Sequence, residues 1–260
     1  MKEEYDYTYE DIVRALHEVG LQRGDNVFVH SNLAFFGKLK NATTRLDYYL
    51  AFKKGFFDVI GPEGTLIVPT FSYSFCRGEI FDKEKTPGLN MGFFSEMVRQ
   101  DPTSYRSEDA NFSVAAIGKN ARYFTKDAPE YSFGPNSFWD KLLRMNGKIC
   151  NLNLNAGSTF IHYVERELKV PYRWDKPFRG ISIINGKRVE RIFYHFVRDL
   201  EKPEYYPDFT KFDKLARELG LAKWCKLGRG EVVCISAKDT FELIKQNIAR
   251  DLFFLSRGNR

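Results

Sequence analysis

The chain has 260 residues, enough for one large domain or two small ones and for a core that needs neither disulfides nor metal. Hydrophobic residues make up 43% and charged residues 28%, a globular balance that excludes a disordered chain. The net charge of +6 is interleaved with acidic residues, as in EDIVRALHE, VERELK and KLAREL, so it reads as solvated helix faces and not as a nucleic-acid surface.

Only the tail SRGNR and the stretch Lys187 to Arg191 are locally basic. Cys76, Cys150, Cys225 and Cys234 have no C-x-x-C spacing, so reduced thiols are expected and no metal site. The start, MKEEYDYTYEDIV, is acidic and aromatic where a secretory signal is basic and then apolar, and no run approaches a membrane span. A cytoplasmic protein without membrane insertion is expected. Aromatic residues reach 16%, which suits either an aromatic core or a cleft whose rings pack on sugar faces.

Taken in order, Thr8 with Asp11 forms a capping-box start to a helix that stops at Gly20. NVFVH, residues 26–30, reads as a buried strand that delivers His30 and Ser31 to the loop SNLAFFG. A helix over 44–60, the turn GPEG and the strand TLIVPT continue the alternation. Residues 71–91 form an excursion long enough to expect function there. A helix near 93–100, the loop YRSEDANF and the strand SVAAIG follow. SFGPNSFWDKLLRMNG reads as a turn and helix, GKICNLNL as a strand, and STFIHYVERELKV as a helix ended by Pro171.

Beyond it, Asn185-Gly186 supplies the positive φ angles of a type I′ hairpin turn between ISII and KRVERIFYHFV, where the pattern becomes antiparallel. A helix over 209–219, a strand pair across LGRGEVVCIS and a helix from Ala237 complete the chain. The fold class expected is α/β: a three-layer α/β/α sandwich with a mixed β-sheet and an added β-hairpin after the His162 helix. Residues 1–260 are read as a single domain, as monomer or homodimer.

The chemistry concentrates in STFIHYVE. His162 and Glu165 are three apart, on one helix face, so the carboxylate can hold one imidazole nitrogen and orient the other as a base. The helix N-terminus disfavours the imidazolium while Glu165 favours it, so no net shift is assigned. Thr159 can donate to an oxygen that gains charge, or cap the helix. His195, alone in an apolar strand, reads as a hydrogen-bonded core residue. His17 and His30 read as structural.

Five segments in order carry a further signal: HSNLAFFG, GTLIVPTF, RSEDANFS, GPNSFWDKL and STFIHYVE. Their order and spacing resemble the aminoglycoside 3-N-acetyltransferase family, with its H-S-x-L-x-x-x-G, G-T-L-x-x-P-T, R-S-x-H-P-x-x-S, G-x-x-S-P and T-x-x-H-x-x-E patterns, from about Val27 to Glu165. The resemblance implies acyl transfer from acetyl-CoA or another acyl-CoA to an amine, with His162 as base and Glu165 as its orienting partner. It further implies that Ser31, Leu33 and Gly37 contact the pantetheine arm and that Ser107 and Ser113 flank the cleft. Arg106 is read either as a partner of a coenzyme A phosphate or as a surface ion-pair residue.

The chain departs from the family pattern at Asp109-Ala110 in place of His-Pro, at Phe138 in place of Pro, and in Leu152 to Ala156. The departures fall on the acceptor side, and Asp109 is taken as an acceptor-side residue. Aminoglycosides are polycations, to which a chain at +6 is poorly suited. A nucleotide-linked amino sugar is therefore the expected acceptor, with Arg173 and Arg179, beside Lys176 and Arg191, either meeting its phosphates or simply solvated. The alternatives are a true aminoglycoside 3-N-acetyltransferase conferring antibiotic resistance, and a catalytically silent sugar- or CoA-binding protein.

Overall fold

The computed structural model describes residues 5–258. Thr8 caps helix α1 (Tyr9–Glu18) through the expected reciprocal box with Asp11, and strand β1 (Asn26–Ser31) follows. A 3₁₀ turn at Leu33–Phe36 leads towards α2 (Arg45–Ile60), which opens on a second capping box, Thr44 with Asp47. Strand β2 (Thr65–Pro69) precedes the excursion, which contains a 3₁₀ turn at Phe75–Arg77 and the short β3 (Phe81–Asp82). Helix α3 (Gly92–Gln100), β4 (Tyr105–Arg106), β5 (Val114–Gly118), α4 (Ala121–Thr125) and α5 (Phe138–Arg144) come next.

Strand β6 (Lys148–Leu152) leads into α6 (Phe160–Glu167), which carries His162 and Glu165. The hairpin β7 (Arg173–Ile184) and β8 (Lys187–Arg198) turns at Asn185 and Gly186, both at positive φ as expected. Helix α7 (Thr210–Glu218), β9 (Lys223–Leu227), β10 (Gly230–Ser236) and α8 (Ala237–Ile248) complete the fold. Among the described residues no helix is long and apolar enough to cross a membrane. Of the basic tail, the last two residues lie outside the described ones.

The main sheet has seven strands in the order β4-β5-β2-β1-β6-β10-β9. Its centre is parallel: β1 pairs with β2 on one side and with β6 on the other. Antiparallel pairing begins earlier than the alternation of elements suggests, because β5 already runs against β2. Period-two burial divides the sheet between two cores. Phe28, Ile67, Val114, Ile149 and Val233 face one layer with Trp139, Phe160, Val164, Phe212 and Leu243 from α5 to α8. Val27, Val29, Leu66, Val68 and Leu152 face the other with Ile12, Leu16, Phe52, Phe56 and Phe94 from α1 to α3. The sandwich is thus three-layered, with a mixed sheet.

The first strand of the hairpin is longer than ISII suggests, since pairing runs from Arg173 opposite Arg198 to Ile184 opposite Lys187. Pro177 lies within it. The excursion supplies the third strand of this smaller sheet, with β3 parallel to β7, and Phe75, Phe81 and Phe193 form its own small core.

Candidate active site

The central parallel strands end side by side: Ser31 of β1 is in register with Leu152 of β6. From there α2 follows β1 onto one face of the sheet and α6 follows β6 onto the other, the kind of switch point at the carboxyl ends of the strands beside which ligands of α/β proteins bind. The loop entering α6 is fixed from several sides. Asn151 donates through Nδ2 to the carbonyls of Asn155 and Gly157, and Asp213 of α7 accepts the N–H of Ala156 at 2.8 Å.

One helical turn brings His162 and Glu165 together, with Nδ1 2.7 Å from Oε2. The Glu165 side chain is completely buried, while that of His162 keeps 19% of its surface exposed. A buried carboxylate needs compensation. Tyr172 donates its hydroxyl to Oε1 at 2.8 Å, and Nε of Arg173 stands 2.8 Å from Oε2. Burial pushes the Glu165 carboxyl up, but His162, Arg173 and Tyr172 outweigh it and hold it below the usual carboxylate range. A carboxylate only accepts, so Nδ1 of His162 carries the hydrogen and Nε2 keeps its lone pair. Burial and then the charge of Arg173 hold the imidazole below its ordinary value, against the opposing pull of Glu165. The balance left open from the sequence is settled by desolvation. Phe133 and Phe209 flank the ring at 6.0 and 6.1 Å between centroids.

Thr159 stands at the cap position of α6, but its backbone is already helical and its hydroxyl caps nothing. At the end of β1, Ser31 Oγ and His30 Nε2 are buried without a hydrogen-bonding partner among the described residues. Leu33 is 3% exposed, packed into the core, so only its backbone remains available to a ligand. Gly37 has φ +87°, and a Cβ there would run into the Asp6 carboxylate.

Several sequence expectations need correction. Arg106 is neither a surface ion-pair residue nor a free phosphate partner. It is 7% exposed, and its guanidinium donates to Thr70 and Ser113 hydroxyls and to the carbonyls of Thr70, Lys83 and Thr86, tying the excursion to the sheet. Burial lowers it to about 9. Ser107 accepts the N–H of Val114, and Ser113 donates to the Thr70 carbonyl. Asp109 is buried, accepts the N–H groups of Asn111 and Phe112, and is pushed up by burial. These three brace the loop before β5 from within.

Arg173 is not a solvated base, since its side chain is 6% exposed against Glu165. Arg179, six residues further along β7 and so about 20 Å away, is exposed and borders a different depression with Glu130, Glu190 and Arg191. His195 is half-buried at the edge of a groove and not in the core: its Nδ1 lies 3.4 Å from the Cys76 thiol, and burial lowers it to about 3. The roles of Tyr172 and Arg173 were missed. A signal existed in Pro171: α6 ends earlier than that residue suggests, at Glu167, with Lys169 at positive φ, and Pro171 then keeps the chain from resuming a helix, so that the next residues pass beside Glu165. Between the hairpin and the excursion lies a groove of about 400 Å³ lined by Cys76, Arg173, Trp174, Lys176, His195 and Arg198, among others.

Solved structures share this architecture. Aminoglycoside acetyltransferase AAC(3)-Xa superposes with a TM-score of 0.80 over 96% of this chain and 94% of its own, at 22% identity. AAC-IIIb, in a binary complex with CoASH, gives 0.78 over 97% and 99%, at 19% identity. Among curated sequences, aminoglycoside N(3)-acetyltransferase VII of Streptomyces paromomycinus is 26% identical, covering 89% of this chain and 88% of its own. The SPbeta prophage-derived aminoglycoside N(3')-acetyltransferase-like protein YokD of Bacillus subtilis (strain 168) is also 26% identical, over 70% and 72%. The family model for aminoglycoside 3-N-acetyltransferase matches residues 28–249. The chain therefore belongs to the aminoglycoside 3-N-acetyltransferase family and is an acyl-CoA-dependent N-acyltransferase, with acetyl-CoA or another acyl-CoA as its donor.

Proposed function

We propose that residues 1–260 act as one acyltransferase domain in the cytoplasm that acetylates an amino group of an amino sugar, with His162 as general base. The observation that carries this reading is the 2.7 Å contact between His162 and the buried Glu165, which leaves Nε2 as the basic nitrogen. Acetyl-CoA supplies the acetyl group as a thioester: the amine nitrogen bonds to the carbonyl carbon, the C–S bond breaks, and the proton held by His162 passes to the departing coenzyme A thiolate. His162 takes the proton of the acceptor amine as the nitrogen becomes nucleophilic, which such a base accelerates by about 10²–10⁴-fold. Glu165 holds the ring in one tautomer and stabilises the imidazolium once the proton has moved. Thr159, free of capping, offers its hydroxyl to the oxygen on which charge develops. The unpartnered Ser31 Oγ and the backbone at Leu33 and Gly37 fit the amide-bearing pantetheine arm. Arg106, Ser107 and Ser113 support that side of the site from behind.

The acceptor follows first from the relatives, which carry the name of aminoglycoside acetyltransferases, one of them solved as AAC-VIa bound to sisomicin. A nucleotide-linked amino sugar is the second reading. It is favoured by the groove beside Arg173, where Lys176 and Arg198 face a single acidic residue, Asp199, and the exposed Trp174 offers a ring face. Arg179 belongs to this reading only for a ligand long enough to reach along the hairpin.

Thiol release from acetyl-CoA, measured with a panel of aminoglycosides and of nucleotide-linked amino sugars, tests both readings. Turnover with either panel is expected to fall by about a hundredfold or more in His162→Ala, with the fold retained, and by less in Glu165→Gln. Turnover with aminoglycosides alone removes the nucleotide-linked reading. A fully active His162→Ala protein removes the histidine from the mechanism.

A further inference from the structure

A buried Glu–His pair faces a problem of charge. If Glu165 is ionised with nothing else near it, the imidazole is the available cation, and a base that rests protonated cannot accept a proton. This site has a second cation in that position. Arg173 reaches Oε2 of Glu165 at 2.8 Å with its own side chain 6% exposed, while His162 Nδ1 approaches the same oxygen at 2.7 Å. Tyr172 occupies the other carboxylate oxygen.

We propose that Arg173 is the positioning residue that balances the buried Glu165 carboxylate, so that His162 rests as a neutral imidazole ready to act as base. The inference rests on the reading of His162 as the base. Arginine suits the task because it stays charged where lysine loses its proton on burial. The other groups facing the pair act in the same direction or are neutral. Arg198, opposite Arg173 across the hairpin, adds positive charge at both His162 and Glu165. His195, on the same strand, is held neutral by burial. Tyr172 stays protonated, pushed up by burial and by Glu165, with Asp251 adding a smaller push in the same direction. Phe133 and Phe209 flank the ring and carry no charge.

Replacing Arg173 with Gln leaves His162 as the cation in direct contact with the Glu165 carboxylate among the described residues, with Arg198 acting only through its field, so the pair should take up its proton at higher pH. A removed charge at this range shifts a midpoint by about one unit or more. The test is an NMR titration of the His162 ring in the free protein, for wild type, Arg173→Gln and Arg173→Lys, with circular dichroism to verify the fold. The wild-type ring should be neutral at pH 7, the Gln variant should titrate about one unit or more higher, and the Lys variant should lie between the two, because a buried ammonium holds its charge less firmly than a guanidinium. The acidic limb of kcat/KM should move with the same midpoints. A wild-type ring charged at pH 7 overturns the proposal without any variant, as does a folded Gln variant with an unmoved midpoint. Failure of the base assignment looks different: His162→Ala would stay active whatever the titrations show.

Discussion

Tyr172 donates its hydroxyl to Oε1 of Glu165 at 2.8 Å, the carboxylate oxygen that His162 and Arg173 leave open. The residue lies just past Pro171, so a turn that ends the helix also completes the environment of its buried carboxylate. Hydrogen bonds to charged groups contribute about 1.5–3 kcal/mol. Tyr172→Phe should lower the unfolding free energy by an amount in that range, read from denaturant melts. Its turnover should fall less than that of His162→Ala, because Oε2 keeps both its partners. A Phe variant as stable as wild type would place the hydroxyl outside the cluster's energetics.

Gly228 sits at φ +51° in the β9–β10 turn, and a Cβ there would clash with the carbonyl oxygen of Phe36 and approach the Tyr7 ring. Arg229 N–H donates to that same carbonyl at 3.1 Å, so the turn buttresses the loop after β1. Gly228→Ala should destabilise the fold by more than about 1 kcal/mol and weaken coenzyme A binding through displacement of the 33–36 turn. Calorimetric titration with coenzyme A checks the second effect. Unchanged affinity in a folded variant would separate this loop from the donor site.

Asp47 accepts the N–H groups of Thr43 and Thr44 at 2.8 and 2.7 Å, and these bonds hold its carboxyl down to about 2. A depressed carboxyl stabilises the fold above its unfolded value and loses that contribution as pH falls through the folded one. Asp47→Asn should therefore melt below wild type at neutral pH, and the gap in Tm should close between about pH 4 and pH 2. A gap independent of pH would assign the cap to the amide-compatible bonds alone.

The sequence by itself determined the local structure and the acid–base pair. The capping box at Thr8 is contained in four residues, the Asn185-Gly186 turn in two, and His162 with Glu165 in one helical turn, so short-range geometry suffices to read them. Their order along the chain carried the family. What only the tertiary structure decided is how charge is neutralised away from water. Arg106 and Arg173 read as phosphate contacts or surface residues and Asp109 as an acceptor-side residue, because ionised side chains are seldom buried without partners. Each has its partners in other segments: carbonyls of the excursion for Arg106, the loop before β5 for Asp109, and the α6 carboxylate for Arg173. No local pattern encodes such contacts. They arise when β7 returns along α6 and the excursion folds over the sheet edge, and burial then turns an apparently basic surface into the support of the site.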